Sequence, residues 1–499
     1  MLKIALSGCC GRMGHVINDI VSGREGMEIV AGFDINTVQY AGFPIFADPF
    51  EFTGECDVII DFSNAASTER LLDYCEQHGT PVVICTTGHS AAQLDRIRAT
   101  SAKIAVFRSG NMSLGINLMS ELLKQTPLKF IRYKYDKINW DARMIGILGP
   151  RGIGKSTMVL QRIKNTPDNH SLYVAADNIY FANNRLTDLA DDFVKEGGTH
   201  LYIDEVHKYN GWSRELKQIY DIHPSLHVIF TGSSVLDIYR GEADLSRRAL
   251  MYFMYGLSFR EYLGLFHDVS CPVYTLDEIL ANQATINNVD HPLPLFRDYL
   301  SRGYYPFAIQ GDFPIRMQQV VSQTIEVDIP QYADMKASTS RKLKQLLAIL
   351  SHLAPYKPVA DSLATEIGVS KNSVPDYLAY LEKSGMIGLL RDDTSGIRSL
   401  GKIEKAYIDN PSLMTVLAGG NPDIGNLRET FFYNQMRVCN NVTASRVSDF
   451  VIGKFTFEIG GRKKGQKQIE GIDNAYIVKD DIEMGMGNII PLWCFGLNY

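Results

Sequence analysis

The residues best suited to chemistry sit in the stretch Gly149-Pro150-Arg151-Gly152-Ile153-Gly154-Lys155-Ser156, followed by Thr157. It is a full G-x-x-x-x-G-K-[ST] pattern, whose glycines let backbone N–H groups turn onto phosphate oxygens at a helix N-terminus. Gly149, Gly152, Gly154, Lys155, Ser156 and Thr157 are therefore expected to hold a nucleotide triphosphate, with Lys155 on the β/γ-phosphates and Ser156 on Mg²⁺. Downstream, the apolar run Leu201-Tyr202-Ile203 delivers Asp204-Glu205. An acid pair there is the expected metal and water-activating element, with Asp204 holding Mg²⁺ through water and Glu205 polarising the attacking water. Further on, Thr231, Ser233 and Ser234 are candidates to sense the γ-phosphate or to cap a helix. Arg247 or Arg248 is a candidate to reach that phosphate in cis or from a neighbouring subunit, and Arg248 is taken with Lys155 and Glu205 as the catalytic set.

A second glycine loop lies near the start, Gly8-Cys9-Cys10-Gly11-Arg12-Met13-Gly14, after the apolar strand Lys3–Leu6. The next strand ends in Asp34, about twenty residues on, where an acid accepts hydrogen bonds from an adenosine ribose. No Arg or Lys adjoins Asp34 in the sequence, which favours NAD(H) over NADP(H).

Four stretches carry a resemblance: Gly8–Gly14 with Arg12-Met13, Asp61-Phe62-Ser63, Thr86-Thr87-Gly88 and Ser109–Gly115. Together they resemble the N-terminal domain of dihydrodipicolinate (4-hydroxy-tetrahydrodipicolinate) reductases over residues 1–123. The resemblance implies that Gly8, Gly11, Arg12, Met13, Gly14 and Asp34 hold the dinucleotide. It places Thr86, Gly88, Asn111 and Met112 near the nicotinamide. Arg108-Ser109-Gly110 departs from the family's usual Ala-Pro. The family's paired-histidine signature and its Lys-Asp-Ala-Pro-Ser-Gly-Thr run are missing downstream of Asn117. A hydride donor is thus expected to bind without a site for its acceptor.

From residue 126 the pattern changes. The phosphate loop, Tyr202–Glu205, Thr231–Ser234, Leu257–Glu261 and Gly303-Tyr304-Tyr305-Pro306 resemble prokaryotic AAA-type ATPases with an archaeal-ATPase core and a restriction-nuclease-like C-terminal domain. In that last domain Glu429, Asp449 and Glu458 stand in the order of a PD-(D/E)-x-K site, in which an acid pair and a lysine bind Mg²⁺ and activate water. Gly460 stands where the lysine belongs, with Lys463, Lys464 and Lys467 a few residues on. Either one of these substitutes or the site is dead, and the second reading is favoured. Residues 341–392 read as three helices and a wing, with Pro375 in the first turn of the third helix. That helix offers only Lys371, Asn372, Ser373 and Lys383 to nucleic acid, against Asp376 and Glu382.

The elements that must position these groups alternate strand and helix, the pattern of parallel sheets. The expected fold class is α/β: a Rossmann-like doubly wound sheet, a P-loop NTPase α/β domain, a winged helix-turn-helix and an α/β nuclease-like domain. The expected domains are 1–124, 125–265, 266–340 (a helical lid or connector), 341–395 and 396–499, with no Gly/Ser linker at the first boundary. A net charge of −6 and scattered cysteines argue against a basic-coated protein and for a reduced, cytoplasmic chain. No apolar run reaches membrane-span length. The expected function is Mg²⁺-dependent ATP hydrolysis, with ATP as partner, either nucleic acid or a purely structural or subunit-contact role for the winged helix, and a homo-oligomer left open. Lysine-pathway reductase and a non-hydrolysing nucleotide sensor are the alternatives.

Overall fold

Buried strands of a parallel sheet read as short apolar runs because helices cover both faces, and the chain builds two such sheets. The structure is a computed structural model and describes residues 1–108, 123–167, 170–232, 245, 247–330, 337–393 and 402–499. Asn111, Met112, Ser233 and Ser234 lie outside them. The chain divides into two compact units, Met1–Gln125 and Thr126–Tyr499.

In the first unit the order is β1 (Leu2–Ser7), α1 (Arg12–Ser22), β2 (Met27–Phe33), β3 (Ile45–Phe46), β4 (Val58–Asp61), α2 (Thr68–His78), β5 (Val82–Ile84), α3 (Ala91–Ser101) and β6 (Val106–Arg108). Among the described residues these strands form one parallel sheet, ordered β3-β2-β1-β4-β5-β6. The order reverses between β1 and β4, and the carboxyl ends of strands at such a point open a ligand crevice.

The second unit begins with the segment Thr126–Trp140, which belongs to its body. The amide of Gln161 donates to the carbonyls of Pro127 (2.7 Å) and Phe130 (2.8 Å). Then follow β7 (Met144–Leu148), α4 (Lys155–Asn165), β8 (Ser171–Ala175), α5 (Leu186–Lys195), β9 (His200–Asp204), α6 (Trp212–Ile222), β10 (His227–Gly232) and β11 (Leu250–Phe253). Their parallel sheet is ordered β11-β7-β10-β9-β8. This puts β10 between β7 and β9, so loops leaving all three strands meet at one end.

Helices α7 (Phe259–His267), α8 (Leu276–Leu280), α9 (Pro292–Asp298) and α10 (Phe313–Gln323) come next, the last continuing as a π-helical turn over Thr324–Asp328. Helices α11 (Ala337–Leu353), α12 (Ala360–Ile367) and α13 (Val374–Lys383) precede an antiparallel pair, β12 (Ile387–Arg391) and β13 (Ile403–Ile408). Helices α14 (Pro411–Leu417) and α15 (Ile424–Met436) lead into β14 (Val442–Ala444), β15 (Phe450–Ile452), β16 (Phe455–Gly460), β17 (Ala475–Lys479) and β18 (Ile489–Pro491). These last strands form a mixed sheet in sequence order. One apolar core joins Phe259 and Tyr262 of α7 and Phe296 of α9 to Phe431, Phe457 and Phe495. The stretches expected as separate domains at 266–340 and 396–499 therefore share their interior.

A buried ion pair ties this unit together. Arg132 donates to both carboxylate oxygens of Glu261, at 3.0 and 3.1 Å, and to the carbonyls of Ile153, Tyr255 (2.8 Å) and Gly256 (2.9 Å). Burial by itself lowers the Arg132 pKa, and the Glu261 charge with its hydrogen bonds and the neighbouring tyrosines together raise it above the ordinary value. Removing one partner of such a pair strands a buried charge, at a cost of about 3 kcal/mol or more. Glu261→Gln is expected to destabilise the second unit by about that much. Urea unfolding of the full chain checks this; the first unit's transition should not move.

Candidate nucleotide sites

The five residues of β7 are all buried and end at Leu148. Gly149 then takes φ +148, where a Cβ would lie 2.2 Å from the carbonyl oxygen of Met254, so only glycine fits. The turn ends in α4, whose first residue, Lys155, is buried and donates to the carbonyls of Gly149 (2.9 Å) and Pro150 (2.8 Å). Burial lowers its pKa to about 8, against the pull of Glu205 and Asp204. Ser156 and Thr157 follow on the first turn of the helix.

The acid pair stands beside this loop because β10 joins the two strands that carry them. Asp204 ends β9 and accepts from the hydroxyls of Tyr173 (2.8 Å) and Thr231. The backbone N–H of Glu205 donates to the same Thr231 hydroxyl at 3.0 Å. Thr231, within β10, is thus a clamp on both acids. Glu205 sits at φ +52, a left-handed conformation that costs a non-glycine residue about 1–3 kcal/mol and that gathers at functional sites. Its carboxylate lies 3.7 Å from the Arg151 guanidinium, which also reaches Asp328 at 3.3 Å, and Lys208 meets Asp328 at 3.1 Å. Nearby His207 is held to a pKa of about 3, first by burial and then by the charges of Lys208, Lys155 and Arg151.

Arg248 is not brought to this place. It precedes β11, which runs parallel to β7 with Leu250 opposite Ile145, so it lies at the sheet end opposite the loop. Its guanidinium pairs with Asp221 at 2.9 and 3.0 Å. The expected cis role fails because the strand direction carries the residue away. Sequence reading missed Arg132, Arg151 and Asp328, whose partners are remote in the chain; Glu261 stands 129 residues after Arg132. A cavity of about 790 Å³ opens beside Gly154 and Thr157, walled by Phe130, Phe266, Pro306 and Ile309.

In the first unit, Gly8 lets the backbone approach β4: a Cβ there would meet the Phe62 carbonyl at 2.7 Å. Gly8, Gly11 and Asp34 line one cavity of about 330 Å³. Asp34 is pre-oriented, accepting from the N–H groups of Cys10 (2.9 Å) and Asn36 (3.0 Å). Arg12 and Met13 are exposed at the start of α1, while Gly14 is buried against Cys9. Thr86 is buried and commits its hydroxyl to Asp61 at 2.8 Å; Gly88 follows with φ +81. The fold also brings a cation that the sequence around Asp34 does not show. Arg70 lines the same cavity, paired with Asp48 at 2.7 Å and lying 4.2 Å over the Phe50 ring.

Near the C-terminal sheet, Lys405 of β13 bridges Glu429 (3.0 Å) and Asp449 (3.4 Å), and Tyr407 donates to Glu429 at 2.9 Å. Burial raises the Glu429 pKa, with the Asp449 charge adding to it. Glu458 pairs with Lys464, whose side chain fills the space a Cβ on Gly460 would take. The acids are therefore each met by a lysine, from two different backbone positions.

Two sheets of nucleotide-binding type thus share one chain, a dinucleotide-type sheet and an ATPase-type sheet, each with a glycine loop after its first strand in the chain. Residues 2–112 match the family described as dihydrodipicolinate reductase, N-terminus, residues 141–263 match AAA domain, and residues 293–423 match a domain of unknown function. The chain is 40% identical over 132 residues to 4-hydroxy-tetrahydrodipicolinate reductase of Clostridium tetani, covering 26% of this chain and 52% of that enzyme. The chain thus spans about half the length of such relatives. It is 26% identical over 308 residues to an uncharacterised protein of Methanocaldococcus jannaschii, covering 53% of this chain and 63% of that one. A Walker-type ATPase of Pyrococcus abyssi aligns in structure with TM-score 0.38 and 15% identity, over 60% of this chain and 99% of that one. The chain therefore joins an AAA-like ATPase domain to a reductase-type N-terminal domain.

The depressed Lys155 pKa has a consequence for binding. Between about pH 8 and the ordinary lysine value of 10.5 the loop's lysine sheds its proton, whereas a phosphate partner favours the ammonium form. A nucleotide phosphate bound at Lys155 in that range would take up a proton, so its affinity is expected to fall as pH rises, by up to about tenfold per unit. Calorimetric titration across that range should show the fall in the native chain and a flat profile in Lys155→Arg.

Proposed function

We propose that the chain hydrolyses ATP with Mg²⁺ at the loop Gly149–Ser156. The observation that carries this reading is the Thr231 clamp, which holds Asp204 and a left-handed Glu205 beside the strand that feeds the loop. In this reading Gly149, Gly152 and Gly154 turn N–H groups onto the phosphates, and Lys155 exchanges its two carbonyl partners for β/γ-oxygens. The donor set suits Mg²⁺: the Ser156 hydroxyl would be an oxygen ligand and the Asp204 carboxylate would hold the ion through water, with Tyr173 and Thr231 fixing the carboxylate. The bound ion supplies charge neutralisation on the phosphates. Glu205 accepts a hydrogen bond from the attacking water and orients it toward the γ-phosphorus. The cavity beside Thr157 takes the base against Phe130, Phe266 and Pro306.

A second reading concerns the first unit. The pre-oriented Asp34 and its cavity support NAD(H) or NADP(H) binding, and Arg70 leaves the choice between them open. Without the acceptor half of the reductases, that unit binds without turnover. Helices α11–α13 with β12–β13 support a winged helix-turn-helix. The lysines on Glu429, Asp449 and Glu458 support a nuclease-like domain that does not cleave. Among the described residues no helix is long and apolar enough to cross a membrane. Nucleic acid at the winged helix and self-association through it are the two partner readings, alongside a cytoplasmic setting.

Phosphate release by the native chain should require Mg²⁺. It should fall by about a hundredfold or more in Lys155→Ala and in Glu205→Gln, with Glu205→Gln still binding ATP. A native chain with no Mg²⁺-dependent turnover overturns the reading.

A further inference from the structure

Arg151 stands inside the phosphate loop, yet its charge is turned toward two acids. It reaches both oxygens of Asp328 at 3.3 Å through Nε and a terminal nitrogen, and the same terminal nitrogen lies 3.7 Å from Glu205. These contacts are loose. Charge-assisted bonds of this kind settle at about 2.7–2.9 Å, and elsewhere in the unit Arg248 meets Asp221 at 2.9 Å and Arg132 meets Glu261 at 3.0 Å. Asp328, by contrast, is nearly fully buried, with 3% of its side chain exposed, and it has a second cation in Lys208 at 3.1 Å. Loss of Arg151 would therefore not leave Asp328 as an unpaired buried charge, the outcome that makes most buried pairs unbreakable. A terminal phosphate brings more negative charge than one carboxylate and offers oxygens that match the guanidinium fork.

We propose that Arg151 is the residue by which this site distinguishes ATP from ADP: the γ-phosphate takes its guanidinium from Asp328, and Lys208 keeps Asp328 neutralised. Asp328 is a positioning residue in this scheme, since it acts only through Arg151. The exchange also withdraws the cation that lies against Glu205, freeing that carboxylate for water. It reports occupancy outward as well. Asp328 closes the turn that extends α10, and Glu326 two residues earlier is paired with Lys344 of α11, so the helix that senses Arg151 is joined to the three-helix stretch.

This inference rests on the ATP-site reading, and the test separates the two. Binding of a fluorescent non-hydrolysable ATP analogue and of labelled ADP is measured on the full chain with Mg²⁺. Arg151→Ala is expected to weaken the ATP analogue about tenfold, the value of one charge-assisted hydrogen bond, and to leave ADP unchanged. Asp328→Asn is expected to tighten the ATP analogue severalfold, again without moving ADP. Arg151→Lys should restore part of the preference, and it reads the same ratio if Arg151→Ala does not fold. Equal shifts for both nucleotides, or none, overturn the role of Arg151 while leaving the site standing. A native chain that binds neither nucleotide overturns both.

Discussion

The second unit depends on the Arg132–Glu261 pair. Five hydrogen bonds leave one guanidinium, and they reach the phosphate loop at Ile153, the strand exit at Tyr255 and Gly256, and the first turn of α7. Glu261 in turn closes the capping box of Ser258, whose hydroxyl donates to the Tyr499 carbonyl at 2.7 Å. Segments at both ends of the unit therefore converge beneath the loop. A charge held so deeply tolerates neither partner's loss, and this explains why a segment that reads as a junction is part of the second unit's body.

The two nucleotide-type sites differ in completeness. In the first unit Asp34 and the Gly8 loop prepare a cavity, but the reductase relatives extend well beyond the matched portion. In the second unit the loop lysine, the acid pair and the clamp between them stand at the same end of one sheet. Neither acid next to the loop is left without a partner. Asp204 is held by two hydroxyls, and Glu205 faces an arginine already shared with Asp328. The site is electrostatically balanced without phosphate, and it must exchange partners to take one.

The C-terminal acids follow the same rule with a different outcome. Lys464, one of the lysines offered just after the motif, comes from the loop after β16, whereas Lys405 enters from β13, a position that motif spacing does not anticipate. Such pairs stabilise a buried cluster while competing with any metal for the same oxygens.

Much of this was legible from the sequence. Full phosphate-loop spacing, the apolar run before Asp204-Glu205 and the Gly8 loop with Asp34 are local patterns, set by backbone conformation and strand burial within a few residues. The parallel sheets follow from the same alternation. Tertiary structure alone decided the rest, because charge pairs form across distance in the chain. The direction of β11 removed Arg248 from the loop, α2 carried Arg70 into the cavity beside Asp34, and the fold set Arg151 against Asp328, 177 residues on. Periodicity reports which face of an element is buried; it carries no information about which remote charge will meet it there.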